Sequence, residues 1–458
     1  MLQTVRRDQI SEIEQRLDEP TARGLASAVG RAVHDGVLSP GTSLPPIRDL
    51  ARELAMSPTT VSAAWSQLVN AGLVRTAGRR GSFVAEPGAA RDGRYRRVVE
   101  HPAAFALDLS TGVPDERLLP ALRPALRALT TAGTPRSYLE DPVLPELREV
   151  LLASWPYDSP ALTVVDGAMD GIELTLRATV RFGDRVVVEH PTFPPLLDLL
   201  EAAGVEVIGV PLDEQGMVPD LLADALRSPV RAVFLQPRAH NPTGISMTGS
   251  RAEELAAVLT SGSANGDVLV VEDDSTSALC DGPDVTLGRW LPDRTVHVRS
   301  YSKSHGPDLR LAAISGPAGV MGTVGRLRQL GQGWSSRLLQ RVLFELLSDG
   351  ATVAAVATAG AEYAARRTAF VEGLATEGIA VSGTEGLNVW VPVHDEPAAL
   401  VRLAAEGIGV APGTPFRVLA EPQGHVRVTT ALIRDDVAPV AAAVAAAARS
   451  APWRTGAR

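Results

Sequence analysis

The chain has 458 residues, more than the roughly 250–300 that one hydrophobic core sustains, so at least two domains are predicted. With 45% hydrophobic and 21% charged residues it has an ordinary globular composition, and no apolar run of about 18 residues predicts a membrane span. No apolar leader is read at the start, and the single cysteine, Cys280, excludes an internal disulfide and a cysteine-based metal site, as expected of a cytoplasmic protein with no metal.

Residues 21–36 are predicted helical, with Thr21 as N-cap, Gly36 as the terminating glycine, and Leu25, Val29 and Val33 on one apolar stripe. Pro40-Gly41 and Leu44-Pro45-Pro46 then break the chain. A short helix from Ile47 to Leu54 turns Leu50 and Leu54 inward. Ser57 caps a further helix that opens on Pro58, ends near Asn70 and buries Val61, Trp65 and Leu68. Leu73–Arg75 and Ser82–Val84 are predicted as two short strands of a ribbon. Helix, turn, helix and wing is a DNA-docking geometry, in which the second helix of the pair enters the major groove by its first residues, here Thr59, Thr60 and Ser62. Arg48 on the preceding helix suits a phosphate, and Arg79 and Arg80 at the ribbon tip suit a groove or the backbone. Topology alone also fits a protein-docking module.

Net charge, −9, is the wrong scale on which to judge DNA binding, because a small basic domain can be carried by a larger acidic one. Between Ala71 and Arg97 there are seven arginines against Glu86 and Asp92, the excess of a DNA-contacting segment or of a solvated linker. Residues 86–104, rich in Gly, Arg and Ala without an apolar period, are read as a linker between domains at 10–85 and 105–450. In the larger domain, apolar runs at Leu162–Val165, Val186–Val188, Val205–Ile208, Ala232–Leu235, Val268–Val271 and Val296–Val298 alternate with amphipathic stretches. The pattern predicts an α/β fold with a mainly parallel sheet, helices on both faces, and ligands at the carboxyl ends of the strands.

Of the 44 basic residues 43 are arginine, and Lys303 is the one lysine. Arginine is never a neutral amine, so Lys303 is a candidate for Schiff-base chemistry, against the alternative of a chance surface lysine. It follows the strand at 296–298 within Ser300-Tyr-Ser-Lys303, and Arg310 lies seven residues on, suited to a bidentate phosphate contact. A pyridoxal phosphate site needs such a lysine, a carboxylate at the pyridine nitrogen, donors around the phosphate and an aromatic face. Ala168 and Met169 open a helix after Gly167, where backbone N–H groups bind phosphate. Phe193, Asn241 and Asp273 follow the apolar runs at 186–188, 232–235 and 268–271 and suit ring stacking, the ring hydroxyl and the ring nitrogen. Singly, these elements also read as a turn, a core phenylalanine, an Asn-Pro turn and a helix cap.

Two resemblances join these readings. Leu44-Pro-Pro-Ile-Arg-Asp-Leu-Ala51, Ser57-Pro-Thr-Thr-Val61, Ala71-Gly-Leu73 and Gly81-Ser-Phe-Val84 resemble the GntR-type winged helix over about residues 20–85, departing from it at Pro58, where arginine is usual. Ser137-Tyr-Leu-Glu-Asp-Pro142, Leu147-Arg148, Gly183-Asp-Arg-Val186, Asn241-Pro-Thr-Gly244, Asp273-Asp274 and Ser300-x-Ser-Lys303-x6-Arg310 resemble, in order, a fold-type I aminotransferase over about 105–450. There the departures are Ser275, in a stretch where a tyrosine is usual, and Leu144 in place of a glycine. That resemblance implies an internal aldimine on Lys303, Asp273 at the pyridine nitrogen, Asn241 at the ring oxygen and Phe193 stacked on the ring. It also implies Ala168, Met169, Ser300 and Arg310 around the phosphate, Tyr138 reaching from a second subunit, and Arg427 clamping a carboxylate. Together the halves resemble the MocR branch of the GntR regulators, which implies a head-to-tail homodimer that binds operator DNA and senses an amino compound through external aldimine formation. A working aminotransferase with an accessory DNA domain, and a cofactor-free regulator that keeps the domain as a scaffold, are the alternatives.

Overall fold

A computed structural model describes residues 9–70, 73–76, 81–84, 93–94, 105–129, 137, 140–159, 161–261, 268–435 and 437–451. Arg79, Arg80 and Tyr138 lie outside the described residues. The chain forms two compact units, one of Met1–Gly93 with Val180–Val186 and Pro195–Val207, the other of Arg94–Thr179, Val187–Pro194 and Ile208–Arg458.

The N-terminal segment of the first unit carries the helices α1 (Ala22–His34), α2 (Ile47–Glu53) and α3 (Pro58–Asn70), and the strands β1 (Val74–Thr76) and β2 (Ser82–Val84). The Thr21 hydroxyl accepts the Gly24 N–H at 3.0 Å, which satisfies one of the unpaired donors at the start of α1. Gly36 ends that helix at φ +75°, a conformation that costs glycine little. The Ser57 hydroxyl accepts the Thr60 N–H at 3.0 Å and caps α3 in the same way. β1 and β2 pair antiparallel, and Ser43 bridges to Phe83 as a third edge of the wing. Leu25, Val29, Leu50, Leu54, Val61, Trp65, Leu68, Val74 and Val84 form one buried cluster, the faces that the sequence pattern marked.

The larger fold carries β3 (Leu107–Leu109), β4 (Ala161–Val165), β5 (Arg185–His190), β6 (Glu206–Asp213), β7 (Gly216–Met217), β8 (Ala232–Leu235), β9 (Leu269–Asp274), β10 (Thr295–Ser300), β11 (Ala312–Gly316), β12 (Asn388–Val393), β13 (Ile408–Pro412) and β14 (Gly424–Thr429). Eight of these form a mixed, mostly parallel sheet in the order β4-β11-β10-β9-β8-β5-β6-β7. Every residue of β8, β9, β10 and β11 is buried, as befits strands covered on both faces. β11 runs antiparallel to both β10 and β4, so that Ser300 at the end of β10 lies opposite Ala312, and Ala312 opposite Val165 at the end of β4. The carboxyl ends of β4 and β10 therefore share one rim.

A second sheet, β12-β14-β13-β3, was not foreseen from the sequence. It packs through Val389, Val391, Val426 and Val428 on Phe370 and Leu374 of the helix Gly350–Thr376 and on Val440 and Val444 of the helix Val437–Ala448. No single described helix is long and apolar enough to cross a membrane.

Candidate functional site

Lys303 sits in the turn after β10, where its Nζ donates to the Gly112 carbonyl oxygen at 2.5 Å. Withdrawal from water, and after it the Arg427 cation, lower its pKa to about 8, against the opposing effect of Asp273. An amine tuned to that range is neutral in an appreciable fraction of molecules near pH 7, the form that attacks a carbonyl.

Three neighbouring strands, β5, β8 and β9, bring Glu189, Gln236 and Asp273 together at their carboxyl ends. Asp273 is buried, and its Oδ2 accepts from Gln236 Nε2 at 2.6 Å while its Oδ1 accepts from the Ser275 hydroxyl. Burial raises the Asp273 pKa and Asp274 adds to the rise; the bonds from Ser275 and Gln236 and the Lys303 cation oppose it. Ser275, in the stretch where the resemblance leads one to expect a tyrosine, is turned to this carboxylate. The Gln236 Oε1 accepts the Asn241 N–H at 2.8 Å, and Asn241 Oδ1 accepts from Arg427 Nη1 at 3.3 Å. Arg427, Asn241, Gln236 and Asp273 are thus joined through successive hydrogen bonds.

On the shared rim, Gly167 adopts φ +104° before the helix Ala168–Thr179. A Cβ on Gly167 would lie 2.7 Å from Arg310 Nη2, so only glycine fits there without displacing the guanidinium. Arg310, itself left-handed at φ +46°, donates to the Asp166 carbonyl at 3.3 Å. The first N–H paired within this helix is that of Gly171, to Gly167. The N–H groups of Ala168 and Met169 therefore have no intrahelical partner. Ser300 is buried at the end of β10, and its Oγ accepts the Ser302 N–H at 3.3 Å. Helix N–H donors, a guanidinium, a hydroxyl and a glycine cradle fit the phosphate of pyridoxal phosphate, as the amine at Lys303 and the acid at Asp273 fit its ring.

Arg427 is 2% exposed on β14. Its Nη2 donates to the Ser110 carbonyl, and its guanidinium lies 5.2 Å from the centre of the Phe416 ring. Phe193 is half-buried in the segment after β5, where the neighbouring Thr192 N–H donates to the Phe416 carbonyl at 2.9 Å. Among the described contacts no hydrogen bond or ring contact joins the Phe193 side chain to Lys303, Asn241 or Asp273. Sequence reasoning missed Gln236, Ser110 and Gly112 as partners of the site, and Glu189. Glu189 accepts the Gln236 N–H at 2.7 Å, and its pKa is raised to about 8 by burial, against that bond and with Asp273 adding. His240 Nε2 lies 3.5 Å from it, its own pKa lowered to about 3 by burial, so both are neutral near pH 7. The one available signal was position, since Gln236 directly follows β8 at the sheet edge where ligands gather.

In the winged unit Arg48, Thr59 and Ser62 are exposed and Thr60 half-exposed, at the first turns of α2 and α3. The Ser57 hydroxyl is 2.7 Å from the hydroxyls of both Thr59 and Thr60. Arg75, exposed on β1 and passed over in the sequence, lies 4.9 Å above the Phe83 ring.

The family profile "Aminotransferase class I and II" matches residues 106–444, and "Bacterial regulatory proteins, gntR family" matches 21–84. The vitamin B6 salvage pathway transcriptional repressor PtsJ of Salmonella typhimurium is 34% identical over 434 residues, 92% of this chain and 96% of that one. The HTH-type pyridoxine biosynthesis transcriptional regulator PdxR of Corynebacterium glutamicum is 30% identical over 352 residues, 73% of this chain and 74% of that one. Among solved structures, Pyrococcus horikoshii kynurenine aminotransferase superposes with a TM-score of 0.69 at 21% identity, covering 79% of this chain and 96% of its own, which shows the shared fold.

Proposed function

This chain belongs to the MocR-type branch of the GntR regulators, a winged helix joined to a pyridoxal-phosphate-binding aminotransferase-like domain, and from that membership we propose that the larger domain is the sensor of an amino compound carrying a carboxylate. The observation that carries this reading is the contact of Lys303 and Arg427 with adjoining carbonyls of one segment, Gly112 and Ser110. Bound there, pyridoxal phosphate would supply an aldehyde able to combine reversibly with a primary amine. Lys303 offers the protein's amine and Asp273 accepts at the ring nitrogen. Asn241 would meet the ring oxygen and Phe193 would stack on the ring. Arg310, Ser300 and the N–H groups of Ala168 and Met169 hold the phosphate, and Arg427 takes the effector's carboxylate. Exchange of amines at Lys303 then alters DNA affinity by the difference in effector binding between the DNA-competent and DNA-incompetent states.

The proposed organisation is a DNA-binding domain at 10–85, a linker at 86–104 and the sensor at 105–450. Arg48, Thr59, Thr60, Ser62, Arg79 and Arg80 contact the operator. The working form is a head-to-tail homodimer in the cytoplasm, with Tyr138 reaching the partner's site. The test is reduction of the cofactor-treated protein with borohydride, followed by peptide mass analysis. An adduct on Lys303, absent from Lys303→Ala, supports the reading; an unmodified Lys303 sinks it. Release of a keto acid over many turnovers favours the aminotransferase alternative instead.

The names of PtsJ and PdxR favour a second reading, in which the vitamer itself is the signal. Titrating pyridoxal phosphate alone into a DNA-binding assay separates the two. A full change in affinity without any added amine supports the vitamer, and a change that requires the amine supports the first reading.

A further inference from the structure

The Gln236 amide has one orientation open to it. A backbone N–H can only donate, so the amide oxygen must face Asn241 N, 2.8 Å away, and Nε2 must face Asp273 Oδ2 at 2.6 Å. The guanidinium of Arg427 likewise has only donors, which turns the oxygen of Asn241 toward it at 3.3 Å. The backbone of Gln236 is fixed as well, by its N–H to Glu189 at 2.7 Å. One side chain therefore gives a proton to the acid assigned to the ring nitrogen and receives one from the residue assigned to the ring oxygen.

This acid needs such a donor. Asp273 is 9% exposed, has the carboxyl groups of Asp274 and Glu189 for neighbours, and has Lys303 as the cation that favours its ionised form. A buried carboxylate is stabilised by each donor aimed at it, and only Gln236 and Ser275 are aimed at this one among the described residues.

We propose that Gln236 is a positioning residue that keeps Asp273 an acceptor at the ring nitrogen and ties it to Asn241, so that it sets the protonation of the cofactor without touching it. The inference rests on the cofactor reading above. Without the amide donor Asp273 takes up a proton more readily, and the ring nitrogen holds its own proton less often. The second titrating proton of the chromophore, no longer repelled by a cationic ring, is then retained to higher pH.

The experiment is a pH titration of the visible band of the cofactor-loaded full-length protein. In Gln236→Leu the midpoint is expected to rise by about one unit, a tenfold change in proton affinity. Gln236→Glu supplies the same donor and acceptor while its carboxyl is protonated, so its band should match the unsubstituted protein on the acid side and diverge on the alkaline side. An unchanged midpoint in Gln236→Leu overturns the proposal, as does weaker cofactor binding with the midpoint unmoved, the mark of a merely structural role. Absence of any visible band in the unsubstituted protein overturns the cofactor reading and this inference with it; a normal band with an unmoved midpoint overturns the inference alone.

Discussion

Glu189 keeps its proton in the fold up to about pH 8, whereas an unfolded glutamate loses it near 4.5. Between those values the folded state binds more protons, so the contribution of this group to stability falls as pH rises. Glu189→Gln keeps an acceptor for the Gln236 N–H and removes the titration. Its melting temperature should match that of the unsubstituted protein at pH 4 and exceed it increasingly up to pH 8, where the difference in stability is on the order of 4 kcal/mol. Parallel melting curves across that range would show that the carboxyl is ionised in the fold. At Arg427 the expected outcome is spectral: Arg427→Ala removes the response of the visible band to an amino-acid effector, and a response of full size would refute the clamp. Lys303 was legible in the sequence because it is unique in composition and follows a strand. Gln236 was not, because its role depends on which way an amide faces across three strands, and no one-dimensional pattern encodes that.

At the scale of elements, the first turn of α3 carries both the cap and the residues proposed to read DNA. Ser57→Ala removes the acceptor for the Thr60 N–H and the hydroxyl shared with Thr59 and Thr60. It should cost the winged unit about 1 kcal/mol, visible in its chemical denaturation, and weaken operator binding. Unchanged operator affinity would show that this turn does not face the groove. The helices of this unit were readable because caps, Gly36 and a 3.6-residue apolar period all agree. The second sheet was not: Pro392 and Pro412 sit inside β12 and β13, where proline reads as a breaker. β11 also escaped notice. Ala312, Ala313 and Gly316 have low strand propensity, and their burial between β10 and β4 decides the outcome.

For the whole molecule, a net charge of −9 coexists with a winged helix whose exposed arginines include Arg48 and Arg75. Operator affinity should fall steeply with salt on a double-logarithmic plot, and Arg48→Ala should reduce the slope by about one unit if Arg48 holds one phosphate. Affinity that is flat with salt would remove the electrostatic basis of the DNA reading. The same scarcity of lysine that drew attention to Lys303 makes the protein its own gauge. The Lys303 amine, bonded to the Gly112 carbonyl, has a pKa near 8 and is the one side-chain amine open to acylating reagents. Stoichiometric labelling by an activated ester therefore counts vacant sensors, and protection from the label counts occupied ones. A bulk preparation or a cell extract can in this way be assayed for its fraction of vitamin-charged regulator by a single peptide mass.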